Sequence, residues 1–263
     1  MPSLTITLIQ TKLFWEDKKA NLEMLQKKIE SISEKTEVVI LPEMYSTGFS
    51  MKPEIYAESM DGETLQWMKK ISFERKIILT GSIIIEDGGK FFNRLIWMLP
   101  NGELGYYDKR HLFAFGDEHA HYKAGNKKLI ASVKGWKINL QVCYDLRFPV
   151  WARQAPGELE TKYDLLINVS NWPEKRSAAW KTLLQARSIE NQCYVAGVNR
   201  VGEDGNKIYY SGDSMILDPL GEILYHKSHD EDIFTYTLEK EKVNEARDQF
   251  PFLDDADSFV INE

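Results

Sequence analysis

The most informative segment of the chain is residues 138–149, which read Ile138-Asn139-Leu140-Gln141-Val142-Cys143-Tyr144-Asp145-Leu146-Arg147-Phe148-Pro149. Its first five residues have an apolar strand pattern that ends at Cys143, and the residues from Phe148 onward read as the first turns of a helix. A thiol at such a strand-to-helix turn lies near helix N-terminal amides, which favour the thiolate. Cys143 is therefore a candidate nucleophile, although a free cysteine after an apolar strand can also be an inert core residue.

A carboxylate follows another short strand. Residues 38–41 form a buried-strand pattern that ends at Pro42, and Glu43 comes next. Positions just past the C-terminal end of a strand are the usual places for chemistry in layered α/β folds. A carboxylate held there out of water would have a raised pKa and could take a proton from a thiol. An ordinary solvated loop glutamate would fit the same pattern.

A lysine stands among aromatic residues in the segment 105–113, which reads Gly105-Tyr106-Tyr107-Asp108-Lys109-Arg110-His111-Leu112-Phe113. Lys109 could lose its hydration and keep its charge if a carboxylate or an oxyanion lay nearby. Such a cation lowers the pKa of a neighbouring thiol and stabilises the oxyanion of a tetrahedral intermediate. The alternative is a surface lysine whose stem covers the tyrosine rings.

Glu43, Lys109 and Cys143 together resemble the Glu–Lys–Cys triad of the nitrilase, or carbon–nitrogen hydrolase, superfamily. Their order and their separations of 66 and 34 residues are similar to those of that family. The resemblance covers nearly the whole chain, from the first strand to the turn at residues 218–222. It implies that Glu118 is a further carboxylate beside the lysine, with an orienting or second-base role. It also implies a homodimer that pairs through the helices beside the catalytic sheet.

The order of strand and helix patterns supports an α/β fold. The order β-α-β-α-β-β occurs twice along the chain, with helices predicted over residues 62–75 and 173–191 and a helix capped by Asp17. Two sheets stacked face to face with helices outside would satisfy this pattern. The resemblance implies the layer order, a four-layer αββα sandwich. Because no Pro-, Gly- or Ser-rich linker interrupts the chain, we expect one domain over residues 1–263, with a tail from about residue 250 that crosses a subunit interface or packs on its own subunit.

Composition excludes several classes of partner. The 263 residues include 40 acidic and 33 basic ones, which gives a formal net charge of −7 and a pI near 5.4. Because no Lys/Arg stripe stands out, neither nucleic acid nor an anionic membrane surface is an expected partner. No apolar run is long enough to span a membrane, and the N-terminus lacks the regions of a signal peptide. Two cysteines make no disulfide framework, so we expect a reducing cytoplasm.

Other chemistries have weaker support. His119 and His121, with Asp117 or Glu118, have the residue types of a metal-dependent hydrolase. No third ligand cluster, HExxH or CxxC accompanies them, so no metal is expected. The sequence also lacks a G-x-S-x-G elbow, a phosphate-binding loop and a dinucleotide fingerprint, so neither a serine hydrolase nor a nucleotide cofactor is expected.

The motifs around the pocket are similar to those of the omega-amidase branch of the superfamily. They are residues 118–125, residues 143–149 and the run Asn171-Trp172-Pro173-Glu174-Lys175-Arg176. Enzymes of that branch hydrolyse the terminal amide of 2-oxoglutaramate or 2-oxosuccinamate, whose far end carries a carboxylate. Arg147 or Arg176 could bind this carboxylate, and Asn171 and Trp172 should line the pocket. A structural ion pair of Arg147 with Asp145 or a nearby carboxylate, a solvated Arg176 and plain packing of Trp172 are the alternatives.

The resemblance implies a mechanism of covalent catalysis. Glu43 takes the proton of Cys143, the thiolate attacks the amide carbon to form a thioester, and Glu43 then activates water. Lys109 and the backbone N–H of Tyr144 would hold the oxyanion. Other carbon–nitrogen hydrolases, such as an N-carbamoyl amidase or an aliphatic amidase, and a non-catalytic binding protein on the same fold, are the alternatives.

Overall fold

The structure is a computed structural model that describes residues 2–154 and 162–261. Within these residues the strands are β1 Ser3–Gln10, β2 Val38–Ile40, β3 Ile78–Asp87, β4 Lys90–Met98, β5 Leu104–Asp108, β6 Ile130–Val133, β7 Trp136–Val142, β8 Leu165–Ser170, β9 Tyr194–Asn199, β10 Val201–Glu203, β11 Tyr209–Leu217, β12 Ile223–Ser228 and β13 Asp232–Glu239. The α-helices are α1 Lys18–Glu30, α2 Pro53–Tyr56, α3 Glu63–Arg75, α4 Glu118–His121, α5 Pro149–Ala152, α6 Ser177–Asn191 and α7 Lys240–Gln249.

The strands form two mixed sheets with the same plan. The six-stranded sheet has the order β13-β1-β2-β3-β4-β5, and the seven-stranded sheet has the order β10-β11-β9-β8-β7-β6 with β12 paired to β11. The central strands of each sheet, β1-β2-β3 and β7-β8-β9, are parallel, and the flanking strands are antiparallel. The C-terminal ends of three parallel strands therefore meet at one edge of each sheet.

Alternate residues of a strand belong to different apolar clusters, which shows what each face of the sheets packs against. Leu4, Ile6 and Leu8 of β1 belong to the largest apolar cluster, which also holds Leu140 and Val142 of β7, whereas Ile9 belongs to a second cluster with residues of α1 and α3. In the seven-stranded sheet, Gly197 faces α6. These contacts place the two sheets face to face with a helix layer on each outer side. The predicted αββα sandwich is confirmed.

Helix termini follow their local signals with two exceptions. The Asp17 side chain accepts a hydrogen bond from the Ala20 N–H at 3.0 Å, so the predicted cap of α1 is present. The helix predicted from residue 173 begins only at Ser177, because residues Glu174–Arg176 form a 3-10 turn first. The helix predicted after residue 148 is the single turn α5, and a 3-10 turn, Cys143–Arg147, precedes it.

Among the described residues, no helix has the length and apolarity needed to cross a membrane. Phe250 follows α7, and residues 250–261 have no helix or strand. Phe250 and Phe252 stack at 5.5 Å between ring centroids. Whether this tail contacts a second subunit, and the division of the chain into one domain, stay predictions.

Candidate active site

The predicted catalytic side chains meet where the C-terminal edges of the two sheets come together. Glu43 follows β2 and Lys109 follows β5 in the six-stranded sheet, whereas Cys143 follows β7 and Asn171 follows β8 in the seven-stranded sheet. The topology therefore brings together residues that lie as far as 128 positions apart in sequence.

Lys109 lies between two carboxylates, and its side chain is fully buried. Its Nζ donates to Glu43 Oε1 at 2.9 Å and to Glu118 at 3.0 and 2.8 Å from the two carboxylate oxygens. Burial lowers the pKa of Lys109, but the negative charges of Glu118 and Glu43 outweigh it, so this pKa lies above its usual value. Lys109 therefore keeps its positive charge between the two carboxylates.

The two glutamates differ in how many donors they accept. Glu118 accepts four hydrogen bonds, from Lys109 twice, from Asn93 Nδ2 at 3.0 Å and from the Phe113 N–H at 2.6 Å. Glu43 accepts three, from Lys109, from Asn93 Nδ2 at 2.8 Å and from the Asn171 N–H at 2.8 Å. Because a carboxylate has about four acceptor sites, Glu118 is filled and Glu43 has one site open.

Burial also affects Glu118 directly. The pKa of Glu118 is raised because burial and the negative charge of Glu43 disfavour its ionised form, although Lys109 opposes them. Glu118 begins α4, directly after Asp117, whose φ of 58° turns the chain into this helix. The carboxylate that the family resemblance implied, Glu118, thus contacts the lysine.

Cys143 stands at a strained turn. Its φ of 44° lies in the left-handed region, which costs roughly 1–2 kcal/mol for a residue with a side chain. The residue is 9% exposed, and its Sγ lies 4.0 Å from the Asn171 carbonyl oxygen. The turn therefore presents the sulfur at the surface of a pocket.

The helix amides that follow Cys143 do not dominate the pKa of its thiol. The pKa of this thiol is raised well above its ordinary value, because burial and the negative charge of Glu43 outweigh the positive charge of Lys109. The helical segment after Cys143 is only a 3-10 turn, so it contributes a weaker dipole than the predicted helix would. The resting thiol is protonated, and a base must remove its proton.

Asp145 holds this turn in place, and sequence reasoning missed its role. Its carboxylate accepts from the Tyr107 hydroxyl at 2.8 Å, from the Val142 N–H at 3.1 Å, and from the backbone N–H and Nδ1 of His111 at 2.9 and 2.8 Å. Tyr107 and His111 flank Lys109 in sequence, and Asp145 lies two residues after Cys143. One buried carboxylate therefore ties the lysine segment to the cysteine turn.

Asn93 is the other residue that the sequence did not reveal. It lies in β4, fully buried, with its amide nitrogen bonded to both Glu43 and Glu118. The available signal was an amide beside Arg94 in the strand pattern Phe91-Phe92-Asn93-Arg94-Leu95. A buried amide in a strand needs polar partners, and here the partners are the two carboxylates.

A pocket of about 450 Å³ opens beside the cysteine. All the predicted substrate-binding residues line it, together with the sulfur: Cys143, Tyr144, Arg147, Asn171, Trp172 and Arg176. Glu43, Lys109 and Glu118 are not in its wall and are at most 1% exposed. The nucleophile thus faces the pocket, and the ionised groups are buried away from solvent.

The two arginines in the wall stack on aromatic rings. The guanidinium of Arg147 lies 4.7 Å from the Trp172 ring centroid, and that of Arg176 lies 5.1 Å from the Phe113 ring centroid. Within residues 2–154 and 162–261, neither guanidinium forms an ion pair, and the carboxylate of Asp145 bonds Tyr107, His111 and Val142 instead. The alternative of an Arg147–Asp145 ion pair is therefore wrong.

Asn171 and Trp172 have more polar contacts than a simple pocket wall requires. Asn171 donates its backbone N–H and its Nδ2 to Glu43, and Trp172 donates its N–H to Asn199 Oδ1 at 2.8 Å. The Trp172 indole N–H donates to the Arg176 carbonyl at 2.8 Å. Asn171 thus contacts the pocket on one side and the Glu43 carboxylate on the other.

The histidine pair does not form a ligand cluster with Glu118. His119 is exposed, and the Glu118 carboxylate faces Lys109, Asn93 and Phe113. In the part of the chain that the structure describes, no group of three or more His, Cys, Asp or Glu side chains could hold a metal ion.

A protein with this αββα fold and a buried Glu–Lys–Glu cluster beside a cysteine is similar to known hydrolases of carbon–nitrogen bonds. Residues 5–248 match the carbon-nitrogen hydrolase family. The chain therefore belongs to the carbon–nitrogen hydrolase family and is an enzyme of that class.

Its relatives identify a branch. An omega-amidase, YafV, from Escherichia coli K12 is 42% identical over 99% of this chain and 100% of its own length. A 2-oxoglutaramate amidase from Bacillus subtilis is 30% identical over 95% of this chain and 96% of its own length. A superfamily protein from Xanthomonas campestris, whose crystal structure holds an arsenic adduct in the active site, superimposes with a TM-score of 0.96, at 44% identity over the full length of both chains. The resemblance to the omega-amidase branch is confirmed.

Proposed function

We propose that this enzyme is an omega-amidase, which hydrolyses the terminal amide of short 2-oxo-dicarboxylate monoamides such as 2-oxoglutaramate and 2-oxosuccinamate. The observation that carries the proposal is a cysteine beside a buried Glu–Lys–Glu cluster, in a pocket whose wall holds two arginines without an ion pair. The names of the relatives from E. coli and B. subtilis support the same substrate class.

In the first half-reaction, Glu43 takes the proton of Cys143 and the sulfur bonds to the amide carbon. Glu43 is suited to this step because it is the carboxylate with an open acceptor site. The carbonyl π electrons move to oxygen, and the oxyanion accepts hydrogen bonds from the Tyr144 N–H and from Lys109. The Tyr144 N–H is one of the first in its 3-10 turn, and such groups have no partner inside the turn. Because Lys109 donates to both Glu118 oxygens, one of these protons can turn to the oxyanion.

Collapse of the tetrahedral intermediate then breaks the C–N bond. The nitrogen leaves as ammonia after it takes the proton from Glu43, and the acyl group stays on Cys143 as a thioester. In the second half-reaction, Glu43 takes a proton from water while the water oxygen attacks the thioester carbon. The C–S bond breaks, the acid leaves, and the sulfur regains its proton from Glu43.

The arginines account for selection of an acidic substrate. A guanidinium binds a carboxylate through two parallel hydrogen bonds, and stacking on an aromatic ring leaves the N–H edge of the guanidinium free to do so. Arg147 lies four residues from the nucleophile, so it suits a short substrate with an amide at one end and a carboxylate at the other. Arg176 is a second cation in the same wall.

The apolar side chains beside α6 support a homodimer. Ile189 of α6 is 52% exposed, and Leu220 and Ile223 are 51% and 55% exposed. Ile189 lies against Gly221, which stands between Leu220 and Ile223 in sequence. Burial of such a patch against a second copy would remove apolar surface from water. Two free, buried thiols are in keeping with a reducing cytoplasm.

Ammonia release tests the proposed function. Purified enzyme and a Cys143→Ala variant should be assayed with 2-oxoglutaramate, glutamine, an N-carbamoyl amino acid and a simple aliphatic amide. We expect release from 2-oxoglutaramate that depends on Cys143. Release from another substrate, again dependent on Cys143, would keep the chemistry and reject the substrate class. Undiminished release by the folded alanine variant would reject the mechanism.

A further inference from the structure

Asn93 is the uncharged residue at the centre of the charged cluster. Its Nδ2 donates to Glu43 Oε1 at 2.8 Å and to Glu118 Oε1 at 3.0 Å. An amide nitrogen carries two hydrogens, so both are used by the two carboxylates. The backbone carbonyl of Asn93 also accepts the Lys109 N–H at 3.0 Å. Asn93 therefore contacts each of the three charged residues.

The cluster needs such a neutral donor because its charges do not balance. Two carboxylates share one ammonium, and all of them are buried, so their mutual repulsion is little screened. The amide of Asn93 stabilises both ionised carboxylates without adding a charge.

Asn93 also determines which carboxylate has an acceptor site open. With its two hydrogen bonds in place, Glu118 accepts four donors and Glu43 accepts three. Without them, Glu118 would have one open site and Glu43 two. Either carboxylate could then hold a proton, and the side chains would no longer be held at one distance.

We propose that Asn93 is a positioning residue that keeps both carboxylates ionised and restricts the proton-accepting role to Glu43. This inference rests on the proposed function, since it takes Glu43 as the base and Cys143 as the nucleophile. Asn93 acts through Glu43 and Glu118 and does not line the substrate pocket.

The test uses two substitutions of nearly equal size. Asn93→Leu removes both donors, and Asn93→Asp replaces a donor with a third carboxylate. The readout is the rate at which iodoacetamide alkylates Cys143 as a function of pH, followed by mass spectrometry of the peptide that contains this residue. It needs no substrate, so it is independent of the substrate class. The titratable groups that act on the cluster are Glu43, Lys109, Glu118, Tyr122, Cys143 and Tyr210.

We expect the low-pH limb of the alkylation rate profile to move to higher pH in both variants, and to move further in Asn93→Asp than in Asn93→Leu. Loss of a donor destabilises an ionised carboxylate, so the midpoint for Asn93→Leu should move upward by about one pH unit. The added like charge should move the midpoint for Asn93→Asp further in the same direction. With the substrate that the ammonia-release assay identifies, kcat should fall by roughly 10- to 100-fold in both variants, and KM should change little.

Asn191→Leu is the matched control for loss of a buried amide. Asn191 is fully buried at the end of α6, accepts the Gln154 N–H at 3.1 Å and donates to the Arg187 carbonyl at 3.0 Å. This variant should have a lower melting temperature than wild type, and the midpoint of its alkylation profile should equal that of wild type.

Midpoints that coincide in wild type and both Asn93 variants would overturn the inference and leave the proposed function standing. A profile that Glu43→Gln also leaves unmoved would overturn the role of Glu43 as base, and the inference with it. If Asn93→Leu does not fold, Asn93→Asp alone tests the inference, because the inference requires the midpoint of its alkylation profile to move to higher pH.

Discussion

Asn171 bonds both ends of Glu43. Its backbone N–H donates to Glu43 Oε2 at 2.8 Å, and its side-chain Nδ2 donates to the Glu43 backbone carbonyl at 2.7 Å. The pair joins the two sheets, because Glu43 follows β2 and Asn171 follows β8. The orientation of the carboxylate is thus set by a residue on the opposite sheet, 128 positions away in sequence.

Replacement of Asn171 by alanine separates this positioning role from a substrate contact. The variant keeps the backbone N–H and loses only the bond from Nδ2 to the Glu43 carbonyl. We expect kcat to fall about tenfold, the value of one such hydrogen bond, and KM to stay nearly constant. Steady-state kinetics on the preferred amide measure both. A rise in KM at constant kcat would instead identify Asn171 as a substrate-binding residue, which is the role that the sequence suggested.

Arg147 should discriminate between charged and uncharged amides. In Arg147→Ala, KM for 2-oxoglutaramate should rise by roughly 10- to 100-fold, because a charge-assisted pair is lost, while KM for an aliphatic amide of equal length should change little. Arg176→Ala is the matched variant, since its guanidinium stacks on Phe113 in the same wall. Equal losses on both amides in Arg147→Ala would contradict recognition of a carboxylate by this residue, and a larger loss in Arg176→Ala would assign that role to Arg176.

Asp145→Asn should weaken the cysteine turn without a change in size. Every group that faces the Asp145 carboxylate is a donor, so the amide NH2 of asparagine would meet donors on one side. We expect a loss of about 2 kcal/mol in the free energy of unfolding and a fall in kcat. Chemical denaturation and kinetics give the two values.

Asp218→Ala provides the control, because it removes the oxygen that accepts the N–H groups of Leu220 and Glu222 in a turn away from the pocket. It should lose stability and keep kcat. An Asp145→Asn enzyme with normal kcat would show that the cysteine turn does not need this carboxylate.

The raised pKa of the Cys143 thiol predicts a pH dependence of stability. Below the unfolded value of about 8.5 the thiol is protonated in both states, and its contribution to stability is fully present. At pH 10 the unfolded chain ionises while the folded thiol stays protonated, so this contribution falls by about 2 kcal/mol. Between pH 7.5 and pH 10, Cys143→Ala should therefore lose about 2 kcal/mol less stability than wild type.

Denaturation curves at the two pH values measure this difference. Cys193→Ala should behave in the same way, because burial also raises the pKa of that thiol. Parallel losses in wild type and Cys143→Ala would contradict a thiol that is protonated in the resting enzyme.

Local signals in the sequence nominated much of the site, and the family resemblance selected the triad from these candidates. Glu43, Lys109 and Cys143 each follow a short strand, and a residue at the end of a strand can be recognised from its neighbours alone. The layered fold followed from the alternation of strands and helices, and its layer order followed from the family resemblance. The triad and the αββα sandwich could therefore be predicted.

Properties that depend on tertiary packing were missed. Asn93 reaches Glu43 across 50 residues of sequence, through the register of β3 and β4, which no local pattern reports. The raised pKa of Cys143 was not foreseen because the helix-terminus argument is local, whereas burial and the charge of Glu43 come from distant segments. Both omissions concern the surroundings of predicted site residues.

The hydrogen bonds between Glu43 and Asn171 have a consequence for folding. A chain in which only the six-stranded sheet has formed would hold Glu43 and Lys109 without a nucleophile, and the other sheet alone would hold Cys143 without a base. Contacts between residues so distant in sequence form slowly, since a long loop must close first. During refolding, turnover should consequently recover no earlier than the docking of the two sheets, and it would lag behind the recovery of secondary structure in circular dichroism.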